Sequence, residues 1–232
     1  MKPETRLNQT LPLLLHVATA ITGLIDAISY LALGHVFTAN MTGNVVFLAF
    51  AVAGAPGLSI TRSLTALVAF LAGALIGGRV ATFVSGVFTP SWITTALSLE
   101  SALLLVATLA AINFRNSPGS SFQSYSIIVL MAFAMGIRNA TVRKLAIPDL
   151  TTTVLTLTIT GLAADSRFAG GTSPRWRRRL LAVLLMFFGA LIGTLLLRRS
   201  LVLPLATATL LSICCGVAIS MKQRVVLETR AL

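Results

Sequence analysis

Apolar runs of about 20 residues, divided by short segments that hold nearly all of the lysines and arginines, leave this chain one solvent in which to fold. Leu11 to Leu33, Ser63 to Val84, Trp92 to Ile112, Leu180 to Leu197 and Leu201 to Ser220 are the runs, and Tyr125 to Ile137 is a shorter one that crosses if its helix continues through Arg138. A helix rises about 1.5 Å per residue, so a run of this kind reaches across a hydrocarbon core of about 30 Å. Inside that core every backbone N–H and C=O must be bonded within the protein, which selects helices. Composition points the same way: 56% of residues are hydrophobic and 10% charged, against about 25% charged in soluble domains. The expected fold is an all-α polytopic membrane protein. Residues 1–232 form one membrane domain with no room for a sizeable soluble one.

The net charge of +12 does not point to nucleic acid. The basic residues fall between the runs instead of forming a stripe interleaved with aromatics, so they read as topology determinants of the kind enriched in cytoplasmic loops. With six spans and both termini cytoplasmic, Lys2, Arg6, Arg79, Arg143, Lys144, Lys222, Arg224, Arg230 and the arginines of the basic loop 165–179 fall inside. Arg62, Arg115, Arg198 and Arg199 fall outside. The first run follows Lys2 and Arg6 and contains Ala18-Thr19-Ala20, a signal-peptide pattern. Apolar sequence continues past that point, so an uncleaved span is expected. Cys214 and Cys215 are adjacent within a run, which suits packing rather than a disulfide framework.

Polar chemistry interrupts the apolar sequence twice. Between Gly23 and Gly54 an acid, Asp26, lies inside the first run; the run breaks at Gly34 and resumes after Thr38-Ala39-Asn40-Met41-Thr42-Gly43-Asn44. The piece from Asn40 to Gly54 spans about 22 Å as a helix, too short to cross, and reads as re-entrant, with Asn40 or Thr42 as its N-cap. A second short piece runs from Leu150 to Ala164 behind Pro148-Asp149, and its alternating threonines would also suit a strand. Polar residues 113–124, with Pro118-Gly119, form the central loop.

These interruptions belong to an internal repeat. Gly23-Leu24-Ile25-Asp26-Ala27 matches Gly136-Ile137-Arg138-Asn139-Ala140, Asn40 to Val45 matches Asp149 to Val154, and Gly73-Ala74-Leu75-Ile76-Gly77 returns as Gly189-Ala190-Leu191-Ile192-Gly193. The repeats are residues 11–112 and 125–220. If the short segments do not cross, each repeat has three spans and the second is inverted; if they cross, each has four and the repeats run parallel. Segment length favours about six full spans, two short discontinuous segments and the 3+3 inverted arrangement. Gly73, Gly77, Gly189 and Gly193 are expected at close helix packing.

Short apolar segments at matching places in two repeats are the sequence mark of a transporter's binding site. Asp26, Asn40, Thr42, Asn44, Arg138, Asn139, Asp149, Thr151, Thr152 and Thr153 are therefore the candidate substrate-binding residues, facing each other near the midplane. The expected substrate is a small polar or anionic solute or an ion, with Asp26 either coupling protons or forming a structural ion pair with Arg138 or Arg143. Glu100 reads as close enough to a span end to snorkel or be protonated. His16 and His35 are isolated, so no metal or cofactor is expected, and no nucleophile–base pattern suggests an enzyme. A membrane scaffold or regulatory partner is the alternative function.

Asp26-Ala27, Ser29-Tyr30-Leu31, Val36 to Asn44, Met135 to Ala140 and Pro148 to Thr153 resemble the YoaK-type bacterial membrane proteins over nearly the whole chain. Members of that family often carry Gln where this chain has Arg138. The resemblance implies a multi-pass protein of the bacterial inner membrane from a family of unknown function.

Overall fold

The computed structural model describes residues 3–84, 91–112, 114, 121–145 and 155–231. Among these it contains eight α-helices and no strand: α1 (Pro3–Ala32), α2 (Met41–Val52), α3 (Ile60–Val84), α4 (Ser91–Ala110), α5 (Ser121–Leu145), α6 (Leu155–Ala164), α7 (Trp176–Leu197) and α8 (Val202–Ala231). Six of them, all but α2 and α6, are long and apolar enough to cross a bilayer. Helix boundaries differ from the sequence reading where polar residues continue a helix. Ser121 to Ser124 of the expected 113–124 loop belong to α5, which runs on through Arg138, Asn139, Arg143 and Lys144; Trp176 to Arg179 of the basic segment open α7. The strand alternative fails over Leu155–Ala164, which is helical.

Side-chain pairs fix the direction of each span. Thr61 meets Tyr125 and Thr82 meets Lys144, so α3 and α5 run parallel. Gly189 lies on Ala20 and Gly193 on Leu24, so α7 runs parallel to α1. Against this, Thr94–Gln223, Ser101–Ser212 and Thr108–Thr209 make α4 and α8 antiparallel. Gln123 bonds the Ala110 carbonyl while Arg138 bonds Glu100, so α4 and α5 are antiparallel as well. Arg62, at the start of α3, packs on Gly34 just past the end of α1. Thus α1, α4 and α7 run one way and α3, α5 and α8 the other. Helix α2 begins and ends at one side without crossing, because its 12 residues cover only about 18 Å.

Four helices, α1, α4, α5 and α8, form the centre, with α3 packed on α5 and α7 on α1 at the flanks. Burial follows that order: 61% of the α1 and α5 spans is buried against 28% of α3 and 17% of α7. The flanking pairs approach closely because glycine removes the side chain at the crossing. A Cβ on Gly73 would strike the Phe133 carbonyl, and one on Gly189 the Ala20 carbonyl; Gly136 meets Phe70 and Ala74, and Gly23 meets Met186 and Ala190. Each of these α3–α5 contacts has an α7–α1 counterpart, 116 positions on along α3 to α7 (Gly73 to Gly189) and 113 along α1 to α5 (Gly23 to Gly136). Such backbone proximity is how small residues hold spans together without a hydrophobic driving force between them.

Helix α2 packs on α3 and α6 on α7. They sit on opposite flanks and share no contact among the described residues; Asp149 to Thr153, expected to face Asn40 to Asn44 near the midplane, lie outside the described residues.

Gly189→Leu drives a side chain into the α1 backbone, and overpacking of this kind costs about 1–3 kcal/mol. Its melting temperature in detergent is expected to fall. Gly78→Leu, at a position where an added Cβ has nothing within 4 Å, is expected not to lower it.

Candidate functional site

Two polar centres lie within the spans. The first is built by the 36–44 block. Helix α1 ends in a tight turn through Gly34 (φ 93°) and His35 (φ 57°), both left-handed, and the chain folds back along α1. Asp26 Oδ1 then accepts the Ala39 N–H at 3.0 Å, and Oδ2 accepts Asn40 Nδ2 at 2.7 Å. Asn44 Oδ1 accepts the Phe37 N–H at 2.8 Å while its Nδ2 donates to the Phe37 carbonyl. Phe37 stacks between Tyr30 and Phe47, with ring centroids 5.3 and 5.5 Å away. The face of Gly43 is covered by the Phe37 ring.

This arrangement answers the question of Asp26 differently from the sequence. The expected arginine partners are elsewhere: Arg138 bonds Glu100, and Arg143 is exposed near the end of α5. The buried carboxylate is instead met by the Ala39 backbone N–H and the Asn40 side-chain amide in the turn entering α2, near the partial positive charge that a helix start offers. Asn40 occupies the N-cap position but makes no capping bond; its amide serves Asp26. Thr42 is exposed, so it lies outside this cluster. Chemically the block latches the re-entrant segment to α1, and its Asn40 and Asn44 amides are spent on local bonds, while the buried Thr38 hydroxyl has no hydrogen-bond partner among the described residues.

The second centre was not anticipated. Arg138 of α5 and Glu100 of α4 form an ion pair whose side chains are 2% and 1% exposed. Arg138 Nε donates to Glu100 Oε2 at 2.9 Å, Nη2 donates to Oε1, and Nη1 donates to the Ala18 carbonyl of α1 at 3.1 Å. Ser212 of α8 donates to Glu100 Oε1 at 2.6 Å and lies 2.9 Å from Ser101. All four central helices therefore meet at one charged group. Two ions in low dielectric lose several kcal/mol of solvation each, and only such saturated geometry offsets it. Glu100 lies mid-run, which rules out the snorkelling assigned to it from sequence.

One side of this pair is hollow. A cavity of about 40 Å³ reaches from Glu100, Arg138, Ser212 and Thr141 along apolar walls that include Leu15 and Cys215, enough for roughly three waters. It extends toward the end at which α1 and α4 begin and α5 and α8 finish, past Leu11, Ile93, Leu145 and Ile219. On the other side of the pair the same helices are solid: Ile25, Ile28, Leu104, Ile127, Ile128, Met131 and Leu205 are at 0% exposure.

Of the remaining predicted site residues, Asn139 is half-buried and bonds back to the Met135 carbonyl at 2.8 Å. Asp149, Thr151, Thr152 and Thr153 lie outside the described residues. The site thus brings together Asp26, Asn40 and Asn44 in one place and Arg138 with Glu100 and Ser212 in another. The missed signal was parity: an arginine and a glutamate both deep within runs must find each other.

Comparison with known proteins adds two findings. A family model described as "Protein of unknown function (DUF1275)" matches residues 14–219. The UPF0700 transmembrane protein YoaK of Bacillus subtilis (strain 168) is 38% identical over 152 residues, covering 66% of this chain and 65% of that protein. No solved structure matches.

Two outcomes follow from the geometry. Arg138→Leu strands a buried carboxylate and is expected to cost about 3–5 kcal/mol in denaturation of the purified protein, whereas the double variant Glu100→Leu/Arg138→Leu is expected to be less destabilised than that single. Asp26→Ala removes the acceptor of the Ala39 N–H, so hydrogen exchange at residue 39 is expected to speed up roughly tenfold or more.

Proposed function

We propose, on the premise that the chain belongs to the DUF1275 family of proteins of unknown function, that this multi-pass membrane protein is a carrier whose solute binds at the Glu100–Arg138 pair. The observation that carries the reading is the saturated ion pair at the floor of an apolar-walled cavity between four helices. A structural pair alone gains nothing from an adjoining void, since close packing would stabilise it further. A solute with an anionic head can take Glu100's place on the Arg138 fork, because guanidinium binds carboxylate and phosphate groups bidentately. Its apolar body then lies along Leu15 and Cys215. The solute class is a small organic anion with an apolar part.

In this reading the spans lie in the bacterial inner membrane with the cavity end cytoplasmic, which the basic residues support. Arg79, Arg143, Lys144, Arg175, Arg177, Arg178 and Lys222 belong to that end, while Arg62, Arg198 and Arg199 belong to the other, the asymmetry that directs basic loops to the cytoplasm. In this reading Asp26 is an anchor for α2 and carries no solute.

Melting of the detergent-purified protein against a panel of organic acids, inorganic anions, sugars and cations tests the proposal. A solute that binds only the folded state adds about 2.7 kcal/mol at a hundredfold excess over Kd. An organic acid is expected to raise the melting temperature, Arg138→Gln to lose that response, and Asp26→Asn to keep it. A panel without response, or a response that survives Arg138→Gln, contradicts the carrier reading and favours a scaffold.

A further inference from the structure

The cavity and the solid core on either side of the Glu100–Arg138 pair are related by the numbering of the chain. We infer that the two exchange: in a second conformation the cavity closes and an equivalent one opens at the opposite end, lined by Ser124, Ile127, Ile128, Met131 and Ala134 of α5 with Ile25, Ile28 and Ser29 of α1. This deepens the carrier reading and rests on it.

The inference starts from matched contacts. The glycine crossings of α3 on α5 recur as those of α7 on α1 at fixed offsets, and α1, α4 and α7 run opposite to α3, α5 and α8. Helices α1, α3 and α4 thus correspond to α5, α7 and α8 turned upside down. Two copies of one unit, so related, have equivalent energetic options, and what one copy does at one end the other can do at the far end.

The present state breaks that equivalence. On α1 the cavity is lined by Leu11, Leu14, Leu15, Ala18 and Ile21, and on α5 by Arg138, Thr141, Val142 and Leu145. Adding 113 to the first set gives Ser124, Ile127, Ile128, Met131 and Ala134. Subtracting 113 from the second gives Ile25, Ile28, Ser29 and Ala32. All but Ala32 are buried, most of them at 0% exposure. One end is therefore hollow where its counterpart is packed, which is the asymmetry that an exchange between two states would invert. Bistability of this kind is expected where packed interfaces have two discrete arrangements. The charged pair sits between the two regions, with Arg138 replaced by Ile25 under the mapping, so a single binding group would face each end in turn.

Single-cysteine proteins in a Cys214→Ser/Cys215→Ser background test this with a membrane-impermeant maleimide in oriented vesicles. Ala134→Cys is a small change and keeps the core filled. Ala66→Cys on α3, also at 0% exposure and outside the mapped set, is the control. Ala134→Cys is expected to react at least about tenfold faster than Ala66→Cys, and only from the end where α1 finishes. Met131→Cys is expected to behave alike, and both proteins are checked for unchanged elution and melting. Reaction no faster than at Ala66→Cys, or reaction from the cavity end, overturns the exchange. The two readings fail separately: solute-dependent melting with a shielded Ala134→Cys leaves a binding protein without exchange, whereas fast labelling without any solute response leaves an exchange without the carrier.

Discussion

A carboxylate and a guanidinium held in the hydrocarbon depth of a helix bundle set the terms for everything around them. Neither ion is tolerable alone at that depth, so α4 and α5 must bring Glu100 and Arg138 together, and neighbouring helices must supply what the pair leaves unsatisfied. Ser212 from α8 and the Ala18 carbonyl from α1 do so. The position of four helices follows from one group. A hydrophobic replacement would fill the space with less desolvation, which is why a buried pair bordered by a cavity points to use rather than to stability.

The outer helices are held by a different kind of contact. Gly73, Gly136, Gly23 and Gly189 let backbones touch, so along their length α3 and α7 dock by surface fit, with polar bonds such as Thr61–Tyr125 and Thr82–Lys144 at the ends of α3 and α5. The short helices ride on these flanks. Asp26 fastens the entry of α2 by accepting the Ala39 N–H and the Asn40 amide, a carboxylate doing at a distance what an N-cap side chain does locally. The polar block from Thr38 to Asn44 is then largely self-satisfied: Asn40 serves Asp26 and Asn44 serves Phe37. Polarity inside a membrane segment here keeps a non-crossing segment folded, which is the condition under which irregular backbone survives at that depth.

Much of the architecture was legible because span length and charge position are local properties. The six spans, the two short segments and the reversal at Gly34 follow from hydropathy and turn residues. Partnership was not legible. Asp26 and Arg138 are the natural couple for a reader of the sequence, but which face of α1 meets which face of α5 depends on glycine crossings that periodicity does not locate. Glu100 was read as close enough to a span end to snorkel or be protonated; its mid-run position, taken together with that of Arg138, was the available clue. The short segments were expected to meet because their sequences match. The helices that follow them, α2 and α6, pack on different flanks, while residues 149–153 lie outside those described.

The most direct measurement of the central claim is the rate at which Cys215, in a Cys214→Ser protein, reacts with a small thiol reagent in the presence and absence of a stabilising organic acid. Cys215 lines the cavity beside the ion pair. A solute seated on Arg138 is expected to slow that reaction in proportion to occupancy, and Arg138→Gln to remove the protection. Protection that is absent at saturating solute, or unchanged in Arg138→Gln, would place the solute elsewhere and leave the Glu100–Arg138 pair as a structural tie between helices.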